Sequence, residues 1–131
     1  MTNIIQMNLN AISTEEAFII NKAPTDGREL KLTVSRKCIP QNKATGNYIG
    51  LCSAEIRFTD ELELDLLDTS FLVRVVLSGK LSCTDSVSDY SHEELTEATL
   101  FQMFPHIRAT MAALMSSAGI APYLIPSSGI I

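Results

Sequence analysis

The chain has 131 residues, a mass of 14.3 kDa and a formal net charge of −5, with 46% hydrophobic residues and a mean hydropathy of +0.17. This length predicts a single domain, residues 1–131. The acidic balance and the scattered Lys and Arg argue against a nucleic-acid interface, which needs a basic patch. No apolar run approaches the roughly 20 residues of a membrane-spanning helix, and the first residues do not resemble a signal peptide, so we expect a cytoplasmic protein without membrane insertion.

The apolar content is high for a monomer of this size, which predicts burial between subunits or a binding surface. Three widely spaced cysteines form no CxxC pair: Cys38, Cys52 and Cys83. We therefore expect no metal site, and interpret the cysteines as small buried hydrophobic residues in a reducing compartment.

The first part of the chain alternates apolar and polar residues with the period of β-strands. Strand one begins near Ile5, is interrupted at residues 13–16, and could continue through residues 17–20 after a bulge. Residues 30–34 predict strand two, and Pro40 to Asn47 predict a polar loop.

Strand three starts near Tyr48, and the longest strand, strand four, runs from Phe71 to Cys83. Within strand four, Gly79 marks either a bulge or a close approach of another backbone. Between these strands, residues 61–66 alternate acid and leucine, which fits either a strand or a hairpin arm beyond the sheet. The sequence does not place the turn.

The last part of the chain is helical. Ser91 and Glu94 form a capping-box pattern that starts a helix lasting to about Met103, where Pro105 kinks or breaks it. The main helix then begins at Phe104 and ends at Gly119, which suits the left-handed position after a helix.

The main helix carries two stripes. One is large and apolar: Ile107, Met111, Leu114, Met115 and Ala118. The other contains only small residues and favours close contact with another helix, so we predict an oligomer interface at Ala109, Ala112, Ala113 and Ser116.

Four consecutive strands followed by helix predict an α+β fold, a four-stranded antiparallel sheet with a kinked C-terminal helical region packed on one face. The sequence contains no nucleophile elbow, phosphate-binding loop or dinucleotide fingerprint, and neither histidine has a partner at metal-ligand spacing. We therefore predict that the protein is not an enzyme and uses no cofactor.

One motif spans the main helix and the segment after it: Phe104, Pro105, Arg108, Gly119, Pro122, Leu124 and Pro126. This motif resembles SecB, the bacterial export chaperone. The second resembles the last strand of that family: Thr69, Phe71, Leu72, Val75, Ser78 and Gly79. The resemblance covers the second half of the chain well, and the first half agrees in strand order and alternation only.

The resemblance implies a homotetramer, a dimer of dimers packed through its helices, that holds non-native polypeptides in long apolar grooves without ATP. The family's C-terminal helix and acidic, metal-binding tail have no counterpart before Ile131. In this respect the chain resembles the shortened SecB-like chaperones outside the general export route, for example those that serve toxin–antitoxin systems.

Docking on the SecA motor is doubtful. The family docks through an acidic sheet face, and Arg74 stands where that face has an acid, two residues after Leu72. Charge reversal in a contact patch opposes binding.

The client-binding surface is predicted from the apolar, proline-broken tail and the edge of strand one or strand two. Its residues are Ile5, Met7, Leu9, Ile120, Tyr123, Leu124 and Ile125. Alternatively, the tail covers the sheet as ordinary core, and the protein is a structural oligomer or small-ligand-binding module that reuses the fold.

Overall fold

A computed structural model describes residues 7–25, 27–42, 46–83 and 91–120. In chain order, the elements are β1 (Met7–Asn21), β2 (Leu30–Asn42), β3 (Asn47–Phe58), a short 3-10 helix (Thr59–Glu61), β4 (Phe71–Cys83) and α1 (His92–Ser117).

The four strands form one antiparallel sheet in the order β1-β4-β3-β2. The strands β2, β3 and β4 follow one another, whereas β1 pairs with β4, so β1 and β2 are the two edges. The helix α1 packs against all four strands on one face. This arrangement confirms the predicted α+β fold. Below, the face under α1 is called the inner face and the opposite face the outer face.

The core follows from the alternation in β3 and β4, where every second side chain faces α1 and is buried. Burial of each large apolar side chain contributes about 1.5–3 kcal/mol relative to exposure. The main cluster joins these two strands to the helix through Cys52, Ala54, Ile56, Phe58, Phe71, Val73, Val75, Leu77, Leu100, Met103, Phe104, Ile107, Met111 and Met115.

A pair of glycines sets how closely the helix approaches the sheet. Gly50 and Gly79 are directly opposite on β3 and β4. A Cβ on Gly50 would lie 2.6 Å from Thr99 Cγ2 and 2.8 Å from Met103 Sδ. A Cβ on Gly79 would lie 2.8 Å from Leu9 Cδ1 and 3.3 Å from Met103 Cε, so side chains approach Gly79 closely, where a close backbone approach was predicted. The predicted bulge is not at Gly79 either, because the register shifts lie in β1 and β2.

The predicted interruption of strand one is wrong, because β1 runs without a break through residues 13–16. Two register shifts, between Leu9 and Ala11 and between Thr14 and Glu16, absorb the extra residues, which agrees with the predicted bulge. The polar side chains there form contacts on the outer face, such as the 2.9 Å hydrogen bond between the Ser13 and Ser78 hydroxyls.

The predicted loop from Pro40 begins too early, because β2 continues to Asn42. As β2 is an edge strand and a register shift lies between Pro40 and Asn42, this is a position of the kind where a sheet tolerates proline.

The predicted break at Pro105 is wrong, because a single helix begins after Ser91 and includes Pro105. The alternative, a kink at Pro105, stays a prediction. The capping box is confirmed: the Glu94 N–H donates to Ser91 Oγ and the Ser91 N–H to Glu94 Oε1, both at 3.1 Å. Pro105 removes the partner of the Phe101 carbonyl, but both residues are exposed, so water can replace the lost bond.

The predicted end of the helix at Gly119 is confirmed. Gly119 has φ of 71°, its N–H donates to the Ser116 carbonyl at 3.1 Å, and the Ile120 N–H donates to the Met115 carbonyl at 3.0 Å. These are the paired hydrogen bonds of a Schellman motif.

Candidate functional site

The predicted client-binding residues lie at both ends of the helix. Met7 is buried with Tyr48, Leu81, Cys38, Cys83 and Leu95 in a second cluster near the start of α1, and Leu9 packs against both clusters. Ile120 is half-buried against the main cluster, directly after the end of α1. The other predicted residues lie outside the described part of the chain: Ile5, Tyr123, Leu124 and Ile125.

Met7 and Ile120 are therefore far apart. Leu95, which packs with Met7, and Met115, which bonds Ile120, are separated along α1 by roughly 30 Å at the helical rise of 1.5 Å per residue. A short pocket cannot contain both, whereas a polypeptide extended over about ten residues spans this distance.

Between these two ends, the inner face of β1 is only partly covered. Ile12 pairs with Gly79 and is 37% exposed, and Ala17 pairs with Val75 and is exposed, although both partners on β4 are buried. The helix thus covers the central strands and leaves apolar side chains accessible along β1. We call this strip the β1 seam; its apolar residues are Leu9, Ile12, Ala17 and Ile19.

The outward side of α1 presents the predicted small-residue stripe. All four of its members are exposed in the single chain: Ala109, Ala112, Ala113 and Ser116. The structure adds Phe101, which is 77% exposed and lies four residues before the exposed Pro105. The small-residue pattern did not indicate Phe101, although its spacing of eight residues from Ala109 places it on the same side of the helix.

Arg74 lies on the outer face, at the centre of a row of alternating charges. Its guanidinium bonds Glu55 on β3 and lies 3.4 Å from Glu16 on β1, and Arg57 in turn lies 3.3 Å from Glu55. This row is neutral. Leu72, predicted beside Arg74 on a docking surface, is fully buried and is not accessible to a partner.

The described strand residues of the outer face are net positive. The strand register and side-chain contacts place five basic and three acidic side chains of these strands there, a net charge of +2: Lys31, Lys37, Arg57, Arg74 and Lys80 against Glu15, Glu16 and Glu55.

The cysteine thiols are free and buried, as predicted. Burial raises the pKa of the Cys52 thiol to about 11 and also raises the pKa of the Cys38 thiol. Both thiols therefore remain protonated at neutral pH, which disfavours nucleophilic or metal-binding roles. Within the described ranges, no group of three His, Cys, Asp or Glu side chains gathers as a metal site requires, and no helix is long and apolar enough to cross a membrane.

An open pocket of about 350 Å³ lies near the bulged part of β1. Its walls are mixed, with Lys80 and two serines among apolar and backbone groups: Ala11, Ile12, Ser13, Ile49, Ser78, Gly79 and Lys80.

Comparison with known proteins identifies the fold. The sequence matches no known protein family and no curated protein. The structure, however, matches the Mycobacterium tuberculosis SecB-like chaperone Rv1957, solved in complex with a ChAD peptide from the Rv1956 HigA1 antitoxin, with a TM-score of 0.66 at 13% identity. The match covers 94% of this chain and 88% of that one.

A protein of unknown function from Streptococcus agalactiae matches with a TM-score of 0.50 at 8% identity, over 92% of this chain and 95% of that one. The chain therefore has the SecB-like fold, which confirms the resemblance seen in its two motifs.

Proposed function

We propose that this protein is an ATP-independent chaperone, a holdase that binds non-native or disordered polypeptides in apolar grooves. The observation that carries the proposal is the SecB-like fold over 94% of the chain, shared with a chaperone whose structure contains an antitoxin peptide. An antitoxin or an exported protein would be a suitable client, because each is unfolded before it assembles or crosses a membrane.

The β1 seam supports this proposal. A client extended along it would contact partly exposed apolar side chains from Leu9 to Ile19. Within the described part of the chain β1 is an edge strand, so its free backbone groups would also bond the backbone of a client, whatever the client's sequence. The predicted tail residues Tyr123, Leu124 and Ile125 would extend this surface beyond Ile120, and Ile5 would extend it at the other end.

Assembly as a homotetramer, a dimer of dimers, is part of the proposal. The small side chains from Ala109 to Ser116 would let a second helix approach closely, while Phe101 would bury a large ring. Such an interface would explain why α1 exposes an aromatic residue and alanines together.

SecA is not proposed as a partner. The family docks on that motor through acids, whereas here Arg74 and Arg57 balance Glu16 and Glu55, and the described strand residues of the outer face are net positive. The proposal includes a cytoplasmic location and requires no nucleic acid, membrane insertion, metal or cofactor.

The test is suppression of aggregation of a chemically denatured client, with the affinity for a permanently unfolded protein measured in parallel. Tyr123→Ser with Leu124→Ser should weaken binding, since burial of each large apolar side chain against a client contributes about 1.5–3 kcal/mol. Leu66→Ser with Leu67→Ser, which removes two exposed apolar side chains away from the β1 seam, is the matched control.

Failure of the wild-type protein to bind any unfolded client would contradict the proposal. Loss of folding in the Tyr123 and Leu124 variant, without a separate binding defect, would instead assign the tail to the core. The alternative, a small-ligand-binding module, is favoured only by the pocket beside Lys80. Saturable stabilisation by a small molecule that Lys80→Ala abolishes would support that alternative.

A further inference from the structure

The connection between β3 and β4 exposes leucine side chains that do not contribute to the hydrophobic core. Four of the most exposed large apolar side chains in the described part of the chain lie here, at 37%, 39%, 50% and 86% exposure: Leu62, Leu64, Leu66 and Leu67. The sequence analysis singled out this alternation of acid and leucine but left its structure open. The structure shows neither a strand nor a hairpin arm, but the 3-10 helix Thr59–Glu61 followed by turns.

Hydrogen bonds fix the conformation of this connection. The Arg57 guanidinium donates to the Leu64 carbonyl at 2.9 Å, and the Thr69 N–H and hydroxyl donate to the Asp65 carbonyl at 3.1 and 2.6 Å. The Glu61 carboxylate accepts from the Ser70 N–H at 3.0 Å and from its hydroxyl.

A second anchor holds the start of the connection. Arg28 bonds both carboxylate oxygens of Asp60, at 2.9 and 3.2 Å, and lies 3.4 Å over the centroid of the Phe58 ring. The leucines are therefore presented by a fixed scaffold, and a binding partner would lose little entropy in ordering them.

The charges around these leucines select the partner. No Lys or Arg occurs between Thr59 and Ser70. The carboxylates of Asp60 and Glu61 already bond Arg28 and Ser70. The side chains of Glu63 and Asp68, in contrast, are exposed and take no part in the hydrogen bonds that fix the connection. In a two-fold contact between copies of this chain, these acids would oppose one another, and an anionic lipid surface would repel them.

We propose that this surface docks a basic amphipathic segment of a partner polypeptide. We call it the leucine loop: Leu62, Leu64, Leu66 and Leu67 with Glu63 and Asp68. The partner's apolar side chains cover the leucines, and its Lys or Arg side chains pair with Glu63 and Asp68. This site is separate from the β1 seam and does not require an unfolded partner, so it goes beyond client binding.

The probe is a fluorescently labelled amphipathic peptide of Leu and Lys, compared with the same peptide carrying Glu in place of Lys. Anisotropy is measured with the full-length protein in excess reduced, carboxymethylated α-lactalbumin, which occupies any surface for unfolded clients. The wild-type protein should bind the Leu/Lys peptide at least tenfold more tightly than the Leu/Glu peptide. Binding should weaken as salt increases, because charge pairs at the surface are screened.

Leu66→Ser with Leu67→Ser should weaken binding of the Leu/Lys peptide at least tenfold, which corresponds to about 1.4 kcal/mol. Glu63→Gln with Asp68→Asn should remove most of the salt dependence. The matched control, Glu29→Gln with Glu93→Gln, removes two other exposed acids and should bind like the wild type. Circular dichroism and urea midpoints verify that each variant is folded.

Equal binding of the two peptides, or wild-type affinity in the Leu66 and Leu67 variant, would overturn the proposal. So would self-association or binding to anionic vesicles that depends on these leucines. The two proposals fail separately: the leucine-loop variants should still suppress aggregation, and Tyr123→Ser with Leu124→Ser should still bind the Leu/Lys peptide.

Discussion

The close contact between α1 and Gly50 predicts how a substitution at Gly50 changes the stability of the folded protein. In Gly50→Ala, the new methyl carbon would lie 2.6 Å from Thr99 Cγ2, 2.8 Å from Leu81 Cδ1 and 2.8 Å from Met103 Sδ. Met103 can adjust its flexible end, but Thr99 is short and β-branched, is fully buried, and donates its hydroxyl to the Leu95 carbonyl at 2.9 Å. Relief of the clash therefore requires a shift of the helix.

Overpacking of this kind costs about 1–3 kcal/mol, while replacing Gly by Ala within a strand returns about 0.5–1 kcal/mol. From the centres of these ranges, about 2 and about 0.75 kcal/mol, we expect a net destabilisation of about 1.25 kcal/mol. At an m-value of about 2 kcal/mol per M, this lowers the urea midpoint by about 0.6 M. Variants are compared at one protein concentration, because oligomers gain stability by mass action.

Gly79→Ala is the matched control, because its methyl group would meet Leu9 Cδ1 at 2.8 Å and Met103 Cε at 3.3 Å. Leu9 is half-buried on an edge strand and can move, so we expect a smaller loss. A Gly50→Ala variant as stable as the wild type would contradict this prediction. So would a larger loss of stability in Gly79→Ala than in Gly50→Ala.

Three further predictions concern the assembly, the outer face and the connection. Ala113→Arg should split the oligomer, because a charged side chain cannot enter a close contact between helices. Light scattering should then show smaller species, and Thr33→Arg, at another exposed position, is the control. A wild-type monomer at micromolar concentration would contradict the predicted interface. Arg74→Glu should bind SecA more tightly than the wild type, because it restores an acid to the outer face. It should also be less stable, because Glu16 and Glu55 lose their ion-pair partner. Tight binding of SecA by the wild type that this substitution reduces would contradict the prediction. Hydrogen bonds from Ser70 lower the pKa of Glu61 from its ordinary 4.5, so their stabilisation is present above that pH and is lost as the pH falls through the lowered pKa of the folded state. Glu61→Gln should therefore unfold with a weaker dependence on acid pH than the wild type, and an unchanged pH profile of the urea midpoint would rule this out.

The sequence by itself determined the elements whose signals are local. The alternation in β3 and β4 fixed which side chains face the helix, Ser91 and Glu94 fixed where the helix begins, and Gly119 fixed where it ends. Each of these depends on backbone geometry and on neighbours within a few residues. The motifs at Phe104 and Phe71 also gave the fold family correctly.

Only the tertiary structure decided the order of the strands, because pairing β1 with β4 joins residues 50 to 76 positions apart, from Asn21 with Phe71 to Met7 with Cys83. The continuity of α1 through Pro105 and of β1 through residues 13–16 was also decided by the tertiary structure. In both cases packing along the whole element outweighed local residues that favour a break. In the same way, the burial of Leu72 and the exposure of Phe101 and the leucine loop depend on which surfaces the chain covers. Whether a side chain is covered depends on contacts with residues far away in the sequence, so the periodicity of the sequence alone could not predict it.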